Sequence, residues 1–479
     1  MTYRPTFHIT TPTGRLNDPN GMFMHGSTLH VYYQKDPAFP FGKKRTGWGH
    51  VSTTLHGDSF DHWQHHPDAL YPDAAYDLNG CYSGGAVRDN DGQVYLFYTG
   101  NLKYTDSNGD VQRRATQNRV IVSDIDSPMG GVYRRDAKNP LIDGPAHGYT
   151  NDYRDPMITR DPAGGWRMVI GAQRIDGTPA VVLYTGENLA QWEFAGELEF
   201  DLSQAQPGIS PDLLPGGYMW ECPNLMTFRD EVTDEDLDVL IICPQGVQSY
   251  TDAEGVTHYQ SSDQCGYVVG KLRGTTFEVV RGFSELDYGH QFYAPQIIAE
   301  KYLDSTQLCV RTALLLGWMG LPAQDENPSI KEEGWVHSLT VPRRIRLRNH
   351  RLIQEFILPD QVLAAVAQRN DSDNAHTVQV GKNVYYLREF LSKNNQKIML
   401  CDMSGLEVFS LSYLLGEKQY IELALGADVR RIPVTSGNLE IFLDGNALEV
   451  LIDGGKIAAA SIVNAAPGEM WDTFYLFSD

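Results

Sequence analysis

Basic charge is scarce in this chain of 479 residues: 39 Lys and Arg stand against 61 Asp and Glu, a formal net charge of −22. Nucleic-acid binding is built mainly on clustered Lys and Arg, so no nucleic-acid partner is expected. The same balance opposes adhesion to an anionic membrane surface. There is no run of about 18 apolar residues, hence no expected transmembrane helix. The N-terminal stretch Met1–His8 lacks the charged-then-apolar layout of a secretory signal. Cysteine is scarce too. The six residues at 81, 222, 243, 265, 309 and 401 have no CxxC spacing and read as reduced thiols in a cytoplasm. Gly-rich phosphate loops and a GxSxG elbow are absent. His62, His65 and His66 crowd one segment, but no second ligand cluster has a zinc spacing, so no metal or organic cofactor is expected.

What is present is glycine, proline and tyrosine, at 45, 25 and 25 residues, within a hydrophobic fraction of 42%. With few long 3.6-period stretches, this composition predicts an all-β chain of short strands and many turns. Five apolar runs have strand length: Leu29–Gln34, Val94–Gly100, Trp166–Gly171, Val239–Gly246 and Thr312–Gly317. Each follows a polar cluster. In order, the clusters are Asn17–Gly21, Cys81–Gly85, Arg154–Pro156, Trp220–Pro223 and Phe292–Gln296.

The clusters recur at a nearly constant interval. Asp18 to Ser83 is 65 residues, Ser83 to Asp155 is 72, Asp155 to Glu221 is 66, and Glu221 to Tyr293 is 72. That interval exceeds the usual ~40–50 residues of a propeller blade, but four strands with generous loops fill it. Five such units suit a radial array whose first strands meet at one end of a central channel. A β-rich enzyme with chance spacing is the alternative. After residue 349 the pattern changes. Residues 1–349 are expected to form the five-bladed β-propeller, 350–361 a linker, and 362–479 a C-terminal β-sandwich with a hairpin over Ile441–Gly454. The basic run Arg343–Arg348 reads as a solvated strand at the junction.

Acid–base chemistry is the natural use of carboxylates gathered from several units. Asp18 lies in a tight turn set by Pro19 and Gly21, and on its own that segment reads as an Asx-turn. Glu221 lies between Trp220 and Cys222, an apolar setting that raises a carboxyl pKa toward what a general acid needs. The alternative is a Glu paired with an Arg. Asp155, after Arg154, reads equally well as a structural ion pair. Three carboxylates at matching places in three units nevertheless fit glycoside hydrolysis, which needs one group to protonate the leaving oxygen and one to attack or activate water. Phe41, Trp48, Tyr82, Trp220, Tyr293 and Trp318 lie near the clusters, as rings that stack on sugars do.

These clusters resemble the motifs of glycoside hydrolase family 32, and the resemblance runs from Phe7-His8 to the last hairpin. Asn17–Gly21 is similar to its N-D-P-N-G motif, Arg154–Pro156 to R-D-P and Glu221–Pro223 to E-C-P. The resemblance implies Asp18 as nucleophile, Glu221 as acid/base and Asp155 as transition-state stabiliser. It also implies a five-bladed propeller followed by a β-sandwich, no cofactor, and a β-fructoside as small-molecule partner. Tyr82-Ser83-Gly84, Phe292–Gln296 and Gly317–Gly320 match further pocket motifs, and Gln34 and Trp48 fall on sugar-binding or pocket-wall positions. Asn17, Gln34, Phe41, Trp48, Tyr82, Ser83, Arg154, Tyr293 and Trp318 are therefore the expected substrate contacts, with Arg154 keeping Asp155 ionised. Gly80–Gly84, Tyr98–Lys103, Gly217–Pro223 and Gly317–Pro322 look most like the intracellular bacterial branch that cleaves sucrose-6-phosphate. Three places depart from the family: Arg15-Leu16-Asn17 replaces W-M-N, Phe41 stands near a frequent Trp, and His290-Gln291 precedes Phe292 in place of an acidic residue.

The expected reaction is retaining hydrolysis of a terminal β-fructoside. Unphosphorylated sucrose, fructans, fructosyl transfer and a non-catalytic propeller lectin remain open at this level. In a chain this acidic, preference for a phosphorylated sugar requires a local basic patch. Lys43, Lys44 and Arg45, in the loop before Trp48, together with Lys103, are the residues expected to supply it; the alternative is a solvated turn. Oligomeric state is not legible in the sequence.

Overall fold

The structure, a computed structural model, describes residues 3–210, 212–253, 255–261, 263–301, 308–368, 377–464 and 471–477. Met1 and Thr2 of the N-terminal stretch lie outside them. The five apolar runs form strands, and each is the second strand of a sheet. These strands are Thr28–Asp36, Val94–Thr105, Trp166–Arg174, Asp236–Gln245 and Ala313–Met319. Each pairs antiparallel with an inner strand that carries or follows the polar cluster: Gly14–His25, Ala86–Arg88, Tyr149–Arg160, Met219–Arg229 and Tyr293–Ala299. Further strands outward complete five sheets.

The two-residue period of a strand explains the ring, because alternate side chains serve opposite neighbours. In the third sheet, Ile170 shares a core with Phe97 and Ala115 of the second, whereas adjacent Val169 shares one with Leu240 and Ile242 of the fourth. Tyr32 and Trp48 of the first sheet pack in a core with Leu96 and Tyr98 of the second. A further core unites Ile241 of the fourth, Leu316 of the fifth and Val31 of the first. The inner strands touch in chain order, and the fifth returns to the first. Trp335–Val336 adds a parallel pairing to Gly14 and Arg15. Gln296 stitches three blades: its Nε2 donates to Gly84 O at 3.0 Å, and its Oε1 accepts from Met22 N at 2.7 Å. The result is a five-bladed propeller.

A short helix, Asp360–Ala367, leads to two five-stranded antiparallel sheets. Leu387, Ile441 and Val450 of one share a core with Ile398, Leu411 and Leu423 of the other, which makes a β-sandwich. The expected hairpin is present, with Asn438–Asp444 paired to Ala447–Ile452. Its Gly445 has φ 61, and a Cβ there would come within 2.9 Å of Pro5 backbone atoms, so the turn and the N-terminal strap both require glycine. Among the described residues no helix is long and apolar enough to cross a membrane.

Two expectations are corrected. Residues 350–361 are not a free linker, because Arg351–Phe356 pairs with Arg343–Arg348 as the outer strand of the fifth sheet. The run Arg343–Arg348 is a strand, but not simply a solvated one: Arg343 is fully buried. Its guanidinium donates to Glu449 Oε2 from Nη2 at 2.6 Å, and to Asp287 Oδ2 from Nη1 at 2.8 Å. Glu449 belongs to the sandwich, so a buried cation on the propeller is neutralised across the junction. His8 completes the network, with Nδ1 2.9 Å from Asp444 Oδ2 and Nε2 3.0 Å from Glu449 Oε1. The cause missed in the sequence is tertiary: three carboxylates from distant segments converge on two cations.

This network generates two expectations. Leaving buried Asp287 without its cation costs about 3–5 kcal/mol, so Arg343→Ala should lower the urea midpoint accordingly, with His8 still beside Glu449. Burial works against a charged His8, but Asp444 and Glu449 prevail and raise its pKa to about 9. A pKa raised on folding adds stability that is full below the unfolded value near 6.5 and lost as pH rises through about 9. The melting temperature should therefore fall across that window, and His8→Asn should flatten the fall.

Candidate active site

Four of the five inner strands share one irregularity. Their registers slip between Leu16 and Pro19, Arg154 and Met157, Glu221 and Asn224, and Tyr293 and Gln296. Each slip contains or ends on a proline (Pro156, Pro223 and Pro295 inside, Pro19 at the edge), which has no N–H for the ladder and is tolerated at a bulge. The residues before the last three, Asp155, Cys222 and Ala294, have φ of 68°, 46° and 46°, a left-handed region that non-glycine residues rarely adopt. In the first strand Gly21 has φ 51°, and a Cβ there would meet Trp48 Cζ3 at 2.9 Å. Bulges re-aim side chains. Here they turn carboxylates from three blades toward one end of the channel.

Asp18 is fixed on both oxygens. Asn17 Nδ2 donates to Oδ1 at 3.0 Å, and Ser83 Oγ donates to Oδ2 while accepting from Gln34 Nε2. Asn17 Nδ2 also reaches Gln34 Oε1 at 3.1 Å, which closes the network. Asp155 takes its backbone orientation from an N–H bond to Thr99 Oγ1 at 3.0 Å. Its Oδ2 accepts from Cys222 N at 2.9 Å and lies 3.5 Å from Cys222 Sγ. That sulfur is also 3.9 Å from Asp18 Oδ2, so one thiol sits between two carboxylates. Glu221 accepts from Arg154 Nε at 2.8 Å on Oε1 and from Tyr293 Oη at 2.8 Å on Oε2.

Burial raises the pKa of Asp18, with the charge of Glu221 adding to it; the Ser83 and Asn17 hydrogen bonds act against the rise. Asp155 is also held above the usual carboxylate range, first by burial and then by Glu221, with Arg154 opposing. Burial and both aspartates push the Cys222 thiol up, which keeps its proton available to donate. A small void of about 20 Å³ lies among Asn20, Ser83, Asp155, Cys222 and Gln296.

Several predicted roles change. Arg154 bonds to Glu221, and to Asp152 Oδ1 at 2.6 Å, and acts on Asp155 through its charge alone, which still favours the ionised form as expected. Glu221 is therefore the Arg-paired carboxylate that its apolar sequence neighbours disguised. Trp48 and Trp318 are almost wholly buried, so neither offers an open ring face as the expected substrate contact. Trp48 Nε1 donates to Tyr82 O at 3.1 Å. Tyr82 is half-buried, with the Arg113 guanidinium 5.3 Å from its ring centroid. Phe41 is 88% exposed on the loop that also carries Lys43, Lys44 and Arg45, all exposed, as is Lys103. Arg45 lies 6.0 Å from the Tyr71 ring. His66, one of the crowded histidines, stacks on His50 with ring centroids 4.4 Å apart.

Sequence reasoning missed Thr99, Cys222 as a bridge between aspartates, Asp152, and the Arg15–Asp325 pair at 2.7 Å. The E-C-P and R-D-P neighbourhoods, the matched segment Tyr98–Lys103 and the departure at Arg15 were the only hints of these.

The profile described as "Glycosyl hydrolases family 32 N-terminal domain" matches residues 8–355. A sucrose-6-phosphate hydrolase of Bacillus subtilis is 36% identical over 356 residues, 74% of this chain and 65% of the relative. The Escherichia coli sucrose-6-phosphate hydrolase is 31% identical over 491 aligned positions, covering 98% of this chain and 91% of the other. Among solved structures, a Bombyx mori GH32 beta-fructofuranosidase superposes with a TM-score of 0.74 at 26% identity, covering 99% and 93% of the two chains. A Lactobacillus gasseri sucrose-6-phosphate hydrolase shares the fold at a TM-score of 0.76 and 22% identity, over 99% and 92%. Five blades, a sandwich and the three matched motif segments thus agree with the profile: the chain belongs to glycosyl hydrolase family 32.

Proposed function

We propose that this chain is a retaining β-fructofuranosidase that releases fructose from sucrose-6-phosphate and sucrose. The observation that carries the reading is the meeting of Asp18, Asp155 and Glu221, each differently bonded, at one end of the channel. Asp18 attacks the anomeric carbon and gives a covalent fructosyl-enzyme. Glu221 protonates the departing oxygen, then deprotonates the water that releases fructose with retained configuration. Asn17, Gln34 and Ser83 orient the nucleophile. Asp155, free on Oδ1 of the Cys222 contacts, accepts hydrogen bonds from fructose hydroxyls as positive charge develops on the ring. Arg154 and Tyr293 aim Glu221.

The phosphate of sucrose-6-phosphate is carried by the basic loop Lys43–Arg45 together with Lys103. The names of the relatives and the otherwise acidic chain support this assignment. The cytoplasm is the compartment proposed, supported by six free cysteines.

Asp18→Asn and Glu221→Gln should each fold normally yet lose several orders of magnitude in kcat, because an amide fills neither role. Substrates with acidic leaving groups should rescue Glu221→Gln in part, and near wild-type turnover in either variant would refute the roles. Activity requires ionised Asp18, whose pKa is raised. The kcat/KM profile should therefore fall on its acid side at a pH above that of an ordinary aspartate, a limb readable by steady-state titration.

Charge-assisted contacts contribute about 1.5–3 kcal/mol each. Lys44→Ala/Lys103→Ala should therefore lower kcat/KM for sucrose-6-phosphate at least tenfold more than for sucrose. Equal losses on both substrates would remove these lysines from the phosphate site.

A further inference from the structure

The basic loop and Lys103 leave the phosphate site incomplete, because both lysines are point charges without a directional partner. Among the described residues neither Lys44 nor Lys103 has a side-chain hydrogen bond or ion pair. Arg45, the guanidinium of the loop, is drawn toward Tyr71. A phosphate dianion is recognised best where a planar guanidinium offers two parallel donors from a fixed position. One such group, Arg15, pairs across the sheet with Asp36, the last residue of the strand that leads into the basic loop.

Arg15 lies three residues before Asp18, at the start of the first inner strand. Its Nε donates to Asp325 Oδ1 at 2.7 Å, and its guanidinium carbon is 5.2 Å from the Trp318 ring centroid. Asp325 is held in turn by His337, whose Nε2 is 3.1 Å from the same oxygen. His337 packs edge-on to Trp318 at 5.2 Å. Burial opposes the ionisation of Asp325, but His337 and Arg15 prevail and keep its pKa below the usual range. The latch is therefore an anion at neutral pH. Because Nε is occupied, the two Nη atoms are the donors left for a ligand.

The rim charges also feel one another. Burial chiefly lowers the pKa of Lys44, and the like charges of Arg15 and Lys103 add to that, while Asp36 and Asp325 act against it. Three cations from the first and second blades thus share one field, in a molecule whose net charge is −22. Mutual repulsion of this kind is relieved by a bound anion. The position is also where this sequence departs from the family motif, with Arg15-Leu16 preceding Asn17.

We infer that Arg15, latched by Asp325 against Trp318, is the specificity-determining guanidinium that grips a phosphate on the leaving sugar, between Lys44 and Lys103. This rests on the fructosidase reading above and extends it to a residue that reading does not use. The arrangement separates two functions along one strand: Asp18 addresses the fructose carbon, and Arg15 addresses the phosphorylated end of the same substrate.

The test compares kcat/KM for sucrose-6-phosphate and sucrose in the full-length parent, Arg15→Gln, Arg15→Lys and Lys44→Ala/Lys103→Ala. Arg15→Gln should lower the sucrose-6-phosphate to sucrose ratio at least tenfold, mainly through KM. Arg15→Lys should recover part of the loss, since charge returns without the fork. The inhibition constant of the product glucose 6-phosphate should rise at least tenfold in Arg15→Gln, a readout independent of turnover. Added salt should erode the preference of the parent more steeply than that of Arg15→Gln. A ratio unchanged in Arg15→Gln but collapsed in the double lysine variant would overturn the role of Arg15 alone. A parent without preference for the phosphorylated sugar would overturn the phosphate reading itself.

Discussion

Everything that acts in this protein depends on bulged prolines in the strands that line the channel. A regular inner strand would alternate its side chains between two sheet faces, each of which is buried against a neighbouring blade. No carboxylate survives unpaired in such a core. The slip at Pro19, Pro156, Pro223 and Pro295 breaks that alternation where the chain reaches the channel end. Left-handed backbone at Asp155, Cys222 and Ala294 costs about 1–3 kcal/mol per residue and persists only where surroundings over-determine it. Those surroundings are visible: Thr99 holds the Asp155 amide, and Asp155 holds that of Cys222.

The same bonds that stabilise the bulges shape the chemistry. Asp155 serves as a backbone acceptor for the fourth blade on one oxygen, so its carboxylate is positioned by the fold and not by a neighbouring charge. Cys222 adds an S–H between Asp18 and Asp155, separating two acids that would otherwise repel at close range. Arg154 and Tyr293 approach Glu221 from the third and fifth blades. Because each carboxylate draws its partners from other blades, the site exists only when the ring is closed.

Ring closure is coupled to the sandwich. The core that joins the fourth, fifth and first sheets also contains Tyr386, Phe442, Ala447 and Ala458 of the sandwich. Within it, Arg343 and His8 share Glu449, and Asp444 accepts from the amides of Thr6 and Phe7. The N-terminal strap leading into the first inner strand is therefore anchored on the second domain. The sandwich contributes no residue to the three carboxylates, yet it holds the segment from which Asp18 descends.

By itself the sequence determined the five-unit repeat, the strand character of the apolar runs and the hairpin at Gly445. These features are local: strand-length apolar runs, turn residues and short motifs are read within a few positions. Partnerships were decided only by tertiary structure. Neighbouring residues suggested that Arg154 pairs directly with Asp155 and that Glu221 lies in an apolar pocket, but the bulge turns adjacent side chains apart and gives the hydrogen bond of Arg154 to Glu221, leaving Asp155 only its charge. The sequence run Arg343–Arg348 looked solvated because its counter-charges, Asp287 and Glu449, lie 56 and 106 residues away. Trp48 read as a pocket wall, whereas packing against Gly21 and the second blade buries it. Charge pairing and burial depend on what the ring brings alongside, and spacing along one chain carries no record of that.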